Sequence, residues 1–146
     1  MSSPSTPPHE AVRNLLGTYC EVMDAGDFAA LGGLFADGVL LDDKGREIAR
    51  GTDAVTALWT AMVRRYDGSP RTRHLVTGPI IDVDGSRATC RSSFAVLQLP
   101  PEGPLMPVAA GRYRDEFACT DGRWHFVSRQ FFLDQEGDLS QHMVHL

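Results

Sequence analysis

The sequence lacks the features that mark several large classes of protein. No apolar run approaches the ~20 residues of a transmembrane helix, and residues 1–8 lack the charged and apolar regions of a signal peptide. There are only three cysteines, and no two of them form a CxxC pair. The sequence therefore does not suggest a disulfide framework, or a zinc or redox motif of that type. We expect a cytoplasmic protein without a membrane segment.

Basic residues are also scarce. Fourteen lysines and arginines, of which Lys44 is the single lysine, stand against 19 acidic residues, and the formal net charge is −5. Binding to nucleic acid needs a basic face, so we expect no nucleic-acid partner. The five histidines form no HxH or HExxH pattern, and three of them, His142 included, lie near the chain ends. No glycine group has the spacing of a nucleotide-binding loop, so we expect neither a metal nor a cofactor.

What the sequence does contain is typical of one globular domain. A chain of 146 residues with 42% hydrophobic and 23% charged residues can bury a single core. The Ser/Pro-rich residues 1–8 are expected to be a disordered tail, and the domain is expected to span residues 9–134. Residues 135–146 read as a short polar tail that is mobile or lies at an interface.

Helical patterns occupy the N-terminal part of the chain. An apolar stripe at helical spacing predicts a first helix over residues 9–25, with Gly26 as its left-handed stop. Asp27 is placed to cap a short second helix. The third helix has the clearest periodicity; it is expected to begin at Thr52 or Asp53 and to run to Tyr66.

Strand patterns fill the rest of the chain. Four long strands are predicted over residues 72–83, 87–99, 108–119 and 123–133, and two of the turns between them are Asp-Gly pairs typical of hairpins. A short hairpin is expected between the second and third helices. Together these elements predict an α+β fold, in which a cone-shaped, curled antiparallel or mixed sheet wraps around three N-terminal helices and encloses a pocket.

Asp24 and His74 are the main candidates for chemistry. A carboxylate in the last turn of a helix faces the negative end of the helix dipole, which costs roughly 0.3–1 kcal/mol. His74 begins the first long strand, so that an acid, an imidazole and the phenol of Tyr19 could meet over one cavity. In the functional interpretation, Asp24 fixes the tautomer of His74, which acts as general base, and Tyr19 polarises a substrate oxygen. In the alternative, the pair is structural and Tyr19 is a core aromatic.

Several longer motifs carry a resemblance to a known family. They are Tyr19-x4-Asp24-x2-Asp27-Phe28-x2-Leu31-x2-Leu34-Phe35-Ala36-Asp37, Gly51-Thr52-Asp53-Ala54-Val55, Thr72-Arg73-His74-Leu75-Val76-Thr77, and Gly111-x-Tyr113-x-Asp115-x-Phe117 followed by Asp121-Gly122-Arg123-Trp124. The chain resembles the nuclear transport factor two-like superfamily, and in particular its SnoaL-like branch of polyketide cyclases, dehydratases and isomerases.

The resemblance implies roles for individual residues. Asp24 and His74 match the acid–base pair of scytalone dehydratase and bile acid dehydratase, and Tyr19 matches a phenol of the latter. A further acidic or imidazole group, expected in the middle of the next strand, falls near Leu97, and Met23 replaces a tyrosine beside the aspartate. The resemblance also implies that the strand face carrying Tyr113 lies towards the pocket. The residues assigned to substrate binding are Tyr113, Trp59, Met23, Met62, Ser93, Leu97 and Arg129.

The function predicted on this basis is that of a cofactor-independent lyase or isomerase, of the dehydratase or cyclase type. It would act by general acid–base catalysis on a small apolar, polyketide- or terpenoid-like substrate. One alternative is a non-catalytic subunit resembling the small subunit of aromatic-ring dioxygenases, and another is a module that binds a small molecule without turnover. By resemblance, the expected assembly is a homodimer.

Overall fold

Three helices lie in the N-terminal half of the chain. In the computed structural model, which describes residues 6–144, α1 spans Pro8–Asp24, α2 spans Phe28–Gly33 and α3 spans Gly51–Met62. Most of the predicted disordered tail, residues 1–5, lies outside the described residues. None of the helices in the described part of the chain is long and apolar enough to cross a membrane.

The junction between α1 and α2 forms as the sequence predicts. Gly26 has a φ of 73°, and a Cβ at this position would collide with the carbonyl oxygen of Gly68, so glycine is required for both reasons. The side chain of Asp27 then accepts a hydrogen bond of 3.1 Å from the backbone N–H of Ala30 and caps α2. This tight turn fixes the end of α1, where Asp24 lies.

Helix α3 ends earlier than its apolar periodicity predicts. The helix stops at Met62, and Val63 is already extended, with φ −98° and ψ 126°. Val63 forms an isolated β-bridge with Met143 near the C-terminus. This long-range pairing replaces the last helical turn that the pattern up to Tyr66 predicted.

Six strands form one mixed sheet. The strands are β1 Val39–Leu41, β2 Glu47–Arg50, β3 Thr72–Asp84, β4 Arg87–Gln98, β5 Met106–Thr120 and β6 Arg123–Glu136. Their order is β2-β1-β6-β5-β4-β3, with β1 and β6 parallel and all other neighbours antiparallel. The long strands curl around the helices without closing, which confirms the predicted α+β cone.

Irregularities in the sheet decide which side chains face inward. The pairing of β5 with β6 shifts between Glu116 and Phe117, so that Phe126 and Arg129 are both buried although they are three residues apart. On β4 the alternation is regular, and Cys90, Ser92 and Val96 lie on its buried face. Strand β3 is at the end of the sheet, and its free edge lies against α1.

The C-terminal residues, for which the sequence left a mobile tail or an interface open, pack against the domain over residues 137–144. Strand β6 continues to Glu136, and the following C-terminal segment, residues 137–144, packs onto the domain. The backbone N–H of Arg64 donates to His142 O and that of Val144 to Met62 O, both at 2.8 Å, while Leu139 is buried. The segment thus pairs with the end of α3 and the residues that follow it. The segment is mostly polar, and only Leu139 and His142 in it are buried, which is why the sequence suggested a tail.

Candidate active site

A small cavity lies between the helices, the inner face of the sheet and the C-terminal segment. Its volume is about 120 Å³, close to the ~150 Å³ of an engineered protein cavity that binds benzene. Four titratable side chains border it: Tyr19, His74, Tyr113 and His142. The remaining wall is mainly apolar and includes Met23, Trp59, Phe94, Val96, Phe131, Leu139 and Met143. The site therefore suits a molecule of about one ring with a polar substituent.

Asp24 and His74 meet at the edge of this cavity. The imidazole Nδ1 of His74 lies 2.6 Å from Asp24 Oδ1, and the two side chains are only 7% and 10% exposed. The same carboxylate accepts hydrogen bonds of 2.9 Å from the backbone N–H of His74 and from the hydroxyl of Thr72. Since β3 is the last strand of the sheet, the end of α1 here satisfies an edge N–H that has no neighbouring strand.

These contacts fix the ionisation of Asp24 and the tautomer of His74. Burial opposes ionisation of Asp24, but the hydrogen bonds from His74 and Thr72 outweigh it and lower the pKa of the carboxyl group. An ionised carboxylate can only accept, so the proton of a neutral His74 ring lies on Nδ1. Among the described residues, Nε2 of His74 has no hydrogen-bond partner. Its lone pair is therefore free to take a proton.

The two phenols lie deeper, around a buried ion pair. Tyr19 and Tyr113 are buried, with ring centroids 6.3 Å apart, and the guanidinium carbon of Arg129 lies 4.3 and 3.6 Å from them. Arg129 donates to both oxygens of Asp115, at 2.8 and 3.0 Å. Burial raises the pKa of Tyr19 to about 12, against the opposing effect of Arg129. Both phenols are therefore neutral donors at physiological pH.

Arg129 supports the site from behind. Its side chain is fully buried and is not part of the cavity wall, in contrast to the substrate contact that we expected. Burial alone would lower the pKa of its guanidinium, but the adjacent Asp115 carboxylate more than reverses that effect, so Arg129 is charged. Its contacts with Tyr19 and Tyr113 hold the two rings in place.

Three other residues assigned to the substrate lie away from the cavity. Ser93 and Leu97 are on the outer face of β4, because the regular alternation of this strand turns its even-numbered residues inward. Leu97 lines an open groove of about 840 Å³ between α1 and the strand ends, and Asp24 and His74 line this groove as well. Met62 is the last residue of α3 and does not line the cavity, where Met143 of the C-terminal segment lies instead.

The structure adds one residue to the site that the sequence did not indicate. His142 lies in the C-terminal segment, is 6% exposed and borders the cavity, with its ring centroid 6.1 Å from that of His74. Its position depends on long-range backbone contacts, and no local pattern in the sequence signals it. Within residues 6–144, no group of three or more His, Cys, Asp or Glu side chains is placed to hold a metal ion.

The geometry agrees with the family that the sequence matches. A model of the SnoaL-like domain matches residues 5–130, which is most of the chain. The chain belongs to the SnoaL-like family. Its three helices and curled six-stranded sheet form the nuclear transport factor two-like fold. No protein of curated function matches the chain in sequence.

Solved structures with the same fold differ widely in description. Rv3472 from Mycobacterium tuberculosis, described as of unknown function, is 28% identical with a TM-score of 0.72, over 87% of this SnoaL-like chain and 72% of that one. A candidate scytalone dehydratase from Novosphingobium aromaticivorans is 23% identical, with a TM-score of 0.70 over 89% and 86% of the two chains. The β subunit of a candidate aromatic-ring-hydroxylating dioxygenase from the same species is 22% identical, with a TM-score of 0.67 over 88% and 90%. The similarity to the last two proteins shows a shared fold and does not show a shared function.

Proposed function

We propose that this SnoaL-like protein is a lyase or isomerase that works by general acid–base catalysis without a cofactor, on a small apolar substrate with a carbonyl group. One observation carries the proposal. His74 is held by Asp24 at 2.6 Å, and its unpartnered Nε2 belongs to a ring that borders an apolar cavity. A fixed imidazole of this kind is a suitable base for a proton on carbon.

The reaction follows from the positions of the polar groups. In the proposed step, Nε2 of His74 takes a proton from the carbon next to the substrate carbonyl, and the electron pair of the C–H bond forms an enolate. Tyr19 and Tyr113 are neutral donors at the same cavity and stabilise the enolate oxygen. In a dehydration, the enolate re-forms its carbonyl, a C=C bond forms, the C–O bond of a β-hydroxyl breaks, and His74 gives its proton to this hydroxyl, which leaves as water. In an isomerisation, His74 returns the proton to another carbon.

The cavity restricts the substrate to a small molecule. At about 120 Å³ it holds one ring, whereas the open groove of about 840 Å³ that Asp24 and His74 also line has room for a larger polyketide- or terpenoid-like substrate. The candidate dehydratase among the structures of this fold supports the same class of chemistry. The dioxygenase β subunit supports the alternative of a non-catalytic partner subunit, in which the pair would be structural.

Deuterium uptake tests the proposal without knowledge of the natural substrate. Cyclohexanone, 3-hydroxycyclohexanone and 1-tetralone are incubated with the protein in D₂O, and exchange next to the carbonyl is measured by NMR. The key variant is His74→Asn, because the asparagine amide can still donate to Asp24 while it lacks the basic Nε2. His9→Asn, an exposed histidine of α1, is the matched control.

We expect exchange by the wild type and by His9→Asn, and a loss of about 10²–10⁴-fold in His74→Asn. Equal rates in His74→Asn and the wild type would exclude His74 as the base. If the wild type exchanges none of the three ketones, the proposal is wrong for one-ring and two-ring ketones. The partner-subunit alternative would then be favoured.

A further inference from the structure

A second imidazole lies beside that of His74 in the cavity wall. His142 is held there by its own backbone, since its carbonyl accepts from Arg64 N at 2.8 Å and its N–H donates to Leu139 O at 3.0 Å. The two histidine rings are inclined by 66°, with centroids 6.1 Å apart. The proposed function gives this second imidazole no role, although it borders the same cavity.

The two rings present opposite hydrogen-bonding groups. Nδ1 of His142 is fully buried and has no partner among the described residues. A buried N–H without an acceptor is rarer and more costly than a buried lone pair, so the neutral ring carries its proton on Nε2. In His74 the reverse holds, because Nδ1 donates to Asp24 and Nε2 keeps the lone pair. Of the two rings that border the cavity, one therefore offers an acceptor nitrogen and the other a donor N–H.

We propose that His142 is a second catalytic residue, whose Nε2–H donates a hydrogen bond to the substrate oxygen while Nε2 of His74 removes the proton from carbon. The inference rests on the proposed function and adds a donor on the ring beside the base. No proton leaves His142 in this step. The C–H bond breaks, its proton moves to His74, and the negative charge on the oxygen is stabilised by the N–H of His142 together with the phenols.

The surroundings of His142 keep its ring neutral. Burial lowers its pKa to about 4, and the neighbouring His74 acts in the same direction, against the opposing charge of Asp24. The other titratable groups at the cavity, Tyr19 and Tyr113, have raised pKa values and carry no charge in this range. A neutral imidazole is a suitable donor to a developing enolate, because it does not first have to lose a proton to the base.

Apart from His74, the strands supply no acidic or imidazole side chain to the cavity wall within the described residues. Leu97 faces the outer groove, and the inward neighbour Val96 is apolar. The second imidazole instead enters the cavity from the C-terminal segment, which packs on Val96 through Leu139.

NMR of the histidine rings in the free protein is the part of the test that needs no substrate. With ¹⁵N-labelled histidine, long-range proton–nitrogen spectra identify which ring nitrogen carries the proton. We expect Nδ1–H for His74, Nε2–H for His142, and no protonation of His142 above pH 5. A proton on Nδ1 of His142, or a charged His142 ring at pH 7, would overturn the inference even if the protein catalyses exchange.

The kinetic part compares two substitutions of His142 in the cyclohexanone exchange assay. Glutamine can place its amide N–H where Nε2–H lies, whereas leucine fills the space without a donor. We expect His142→Gln to retain the wild-type rate within about threefold, and His142→Leu to lose about 10²-fold in kcat with little change in KM. His9→Gln serves as the control for a histidine outside the cavity.

The outcomes separate this inference from the proposed function. If His74→Asn abolishes exchange but His142→Leu matches the wild type, His142 is not catalytic and the function stands. If the wild type exchanges none of the ketones, the proposed function fails, and the NMR result alone decides the tautomer. If His142→Leu changes the tautomer of His74, then His142 acts through His74 and the direct donor role is wrong.

Discussion

The substitution Asp24→Asn removes a charge while it keeps the size of the side chain. The carboxylate now accepts three hydrogen bonds, from the ring and backbone of His74 and from Thr72. An asparagine oxygen can replace only one of the two carboxylate oxygens, and its NH₂ group must face the other donors. The best orientation keeps the oxygen on the backbone N–H of His74 and directs the NH₂ group at Nδ1. The imidazole must then accept at Nδ1 and carry its proton on Nε2.

The expected effects on rate and stability differ in size. With a proton on Nε2, His74 has no lone pair for the substrate, and an aspartate that orients a catalytic imidazole contributes about 10⁴ in kcat for this reason. The free energy of unfolding falls less. Two hydrogen bonds become weaker because their partner at position 24 is no longer charged, and the hydroxyl of Thr72 loses its acceptor. At ~1.5–3 kcal/mol for a hydrogen bond to a charged group against ~1 for a neutral one, we expect a loss of about 2 kcal/mol.

The ketone exchange assay and urea unfolding measure the two effects. Asp27→Asn is the matched control, because it makes the same change three residues away at a helix cap where asparagine is equally good. We expect the control to keep both rate and stability. An Asp24→Asn variant with the wild-type exchange rate would refute the role of the pair, and one with Nδ1–H still present on His74 would refute the tautomer argument.

Two further predictions concern the buried charges. Arg129→Met leaves Asp115 buried without a partner, so the free energy of unfolding should fall by about 3–5 kcal/mol, and the double variant with Asp115→Leu should recover most of it; recovery would be absent if the arginine acted only through packing. The second prediction concerns the free energy of unfolding at low pH. Because unfolded His142 takes up a proton near pH 6.5 and folded His142 only near pH 4, the wild type should lose about 3 kcal/mol relative to His142→Leu as the pH falls between these values. Urea unfolding of both proteins at several pH values checks this, and a difference that stays constant with pH would contradict it.

The parts of the fold that depend on local signals could be predicted from the sequence. The Asp-Gly turns fix the ends of the long strands, and β3 to β6 end within three residues of the predicted positions. Gly26 and Asp27 fix the turn that places Asp24, and the unfavourable position of this carboxylate at a helix end indicated that it has a partner. The contact between Asp24 and His74 was accordingly predicted as a possibility and is present at 2.6 Å.

The parts that depend on long-range packing could not be predicted. Ser93 and Leu97 were assigned to the pocket without a way to determine which face of β4 is buried, and the structure turns both outward. The inward position of Arg129 results from a register shift in the sheet, which no residue pattern reveals. His142 lies in a segment without periodicity, and only its backbone contacts with residues 62–64 bring it to the cavity.

The two histidines of the cavity differ in how many of their ring nitrogens have a hydrogen-bond partner in the protein, and this difference bears on function. Nδ1 and the backbone N–H of His74 have a structural role, because they complete the hydrogen bonding of Asp24 at the free edge of β3. His142 has no such explanation, since a leucine would fill its site without leaving Nδ1 buried and unpaired. A residue that lowers stability and borders a cavity is typical of a functional site. The stability of His142→Leu is therefore informative: a gain in the free energy of unfolding together with a loss of exchange is expected only if His142 serves the reaction rather than the fold.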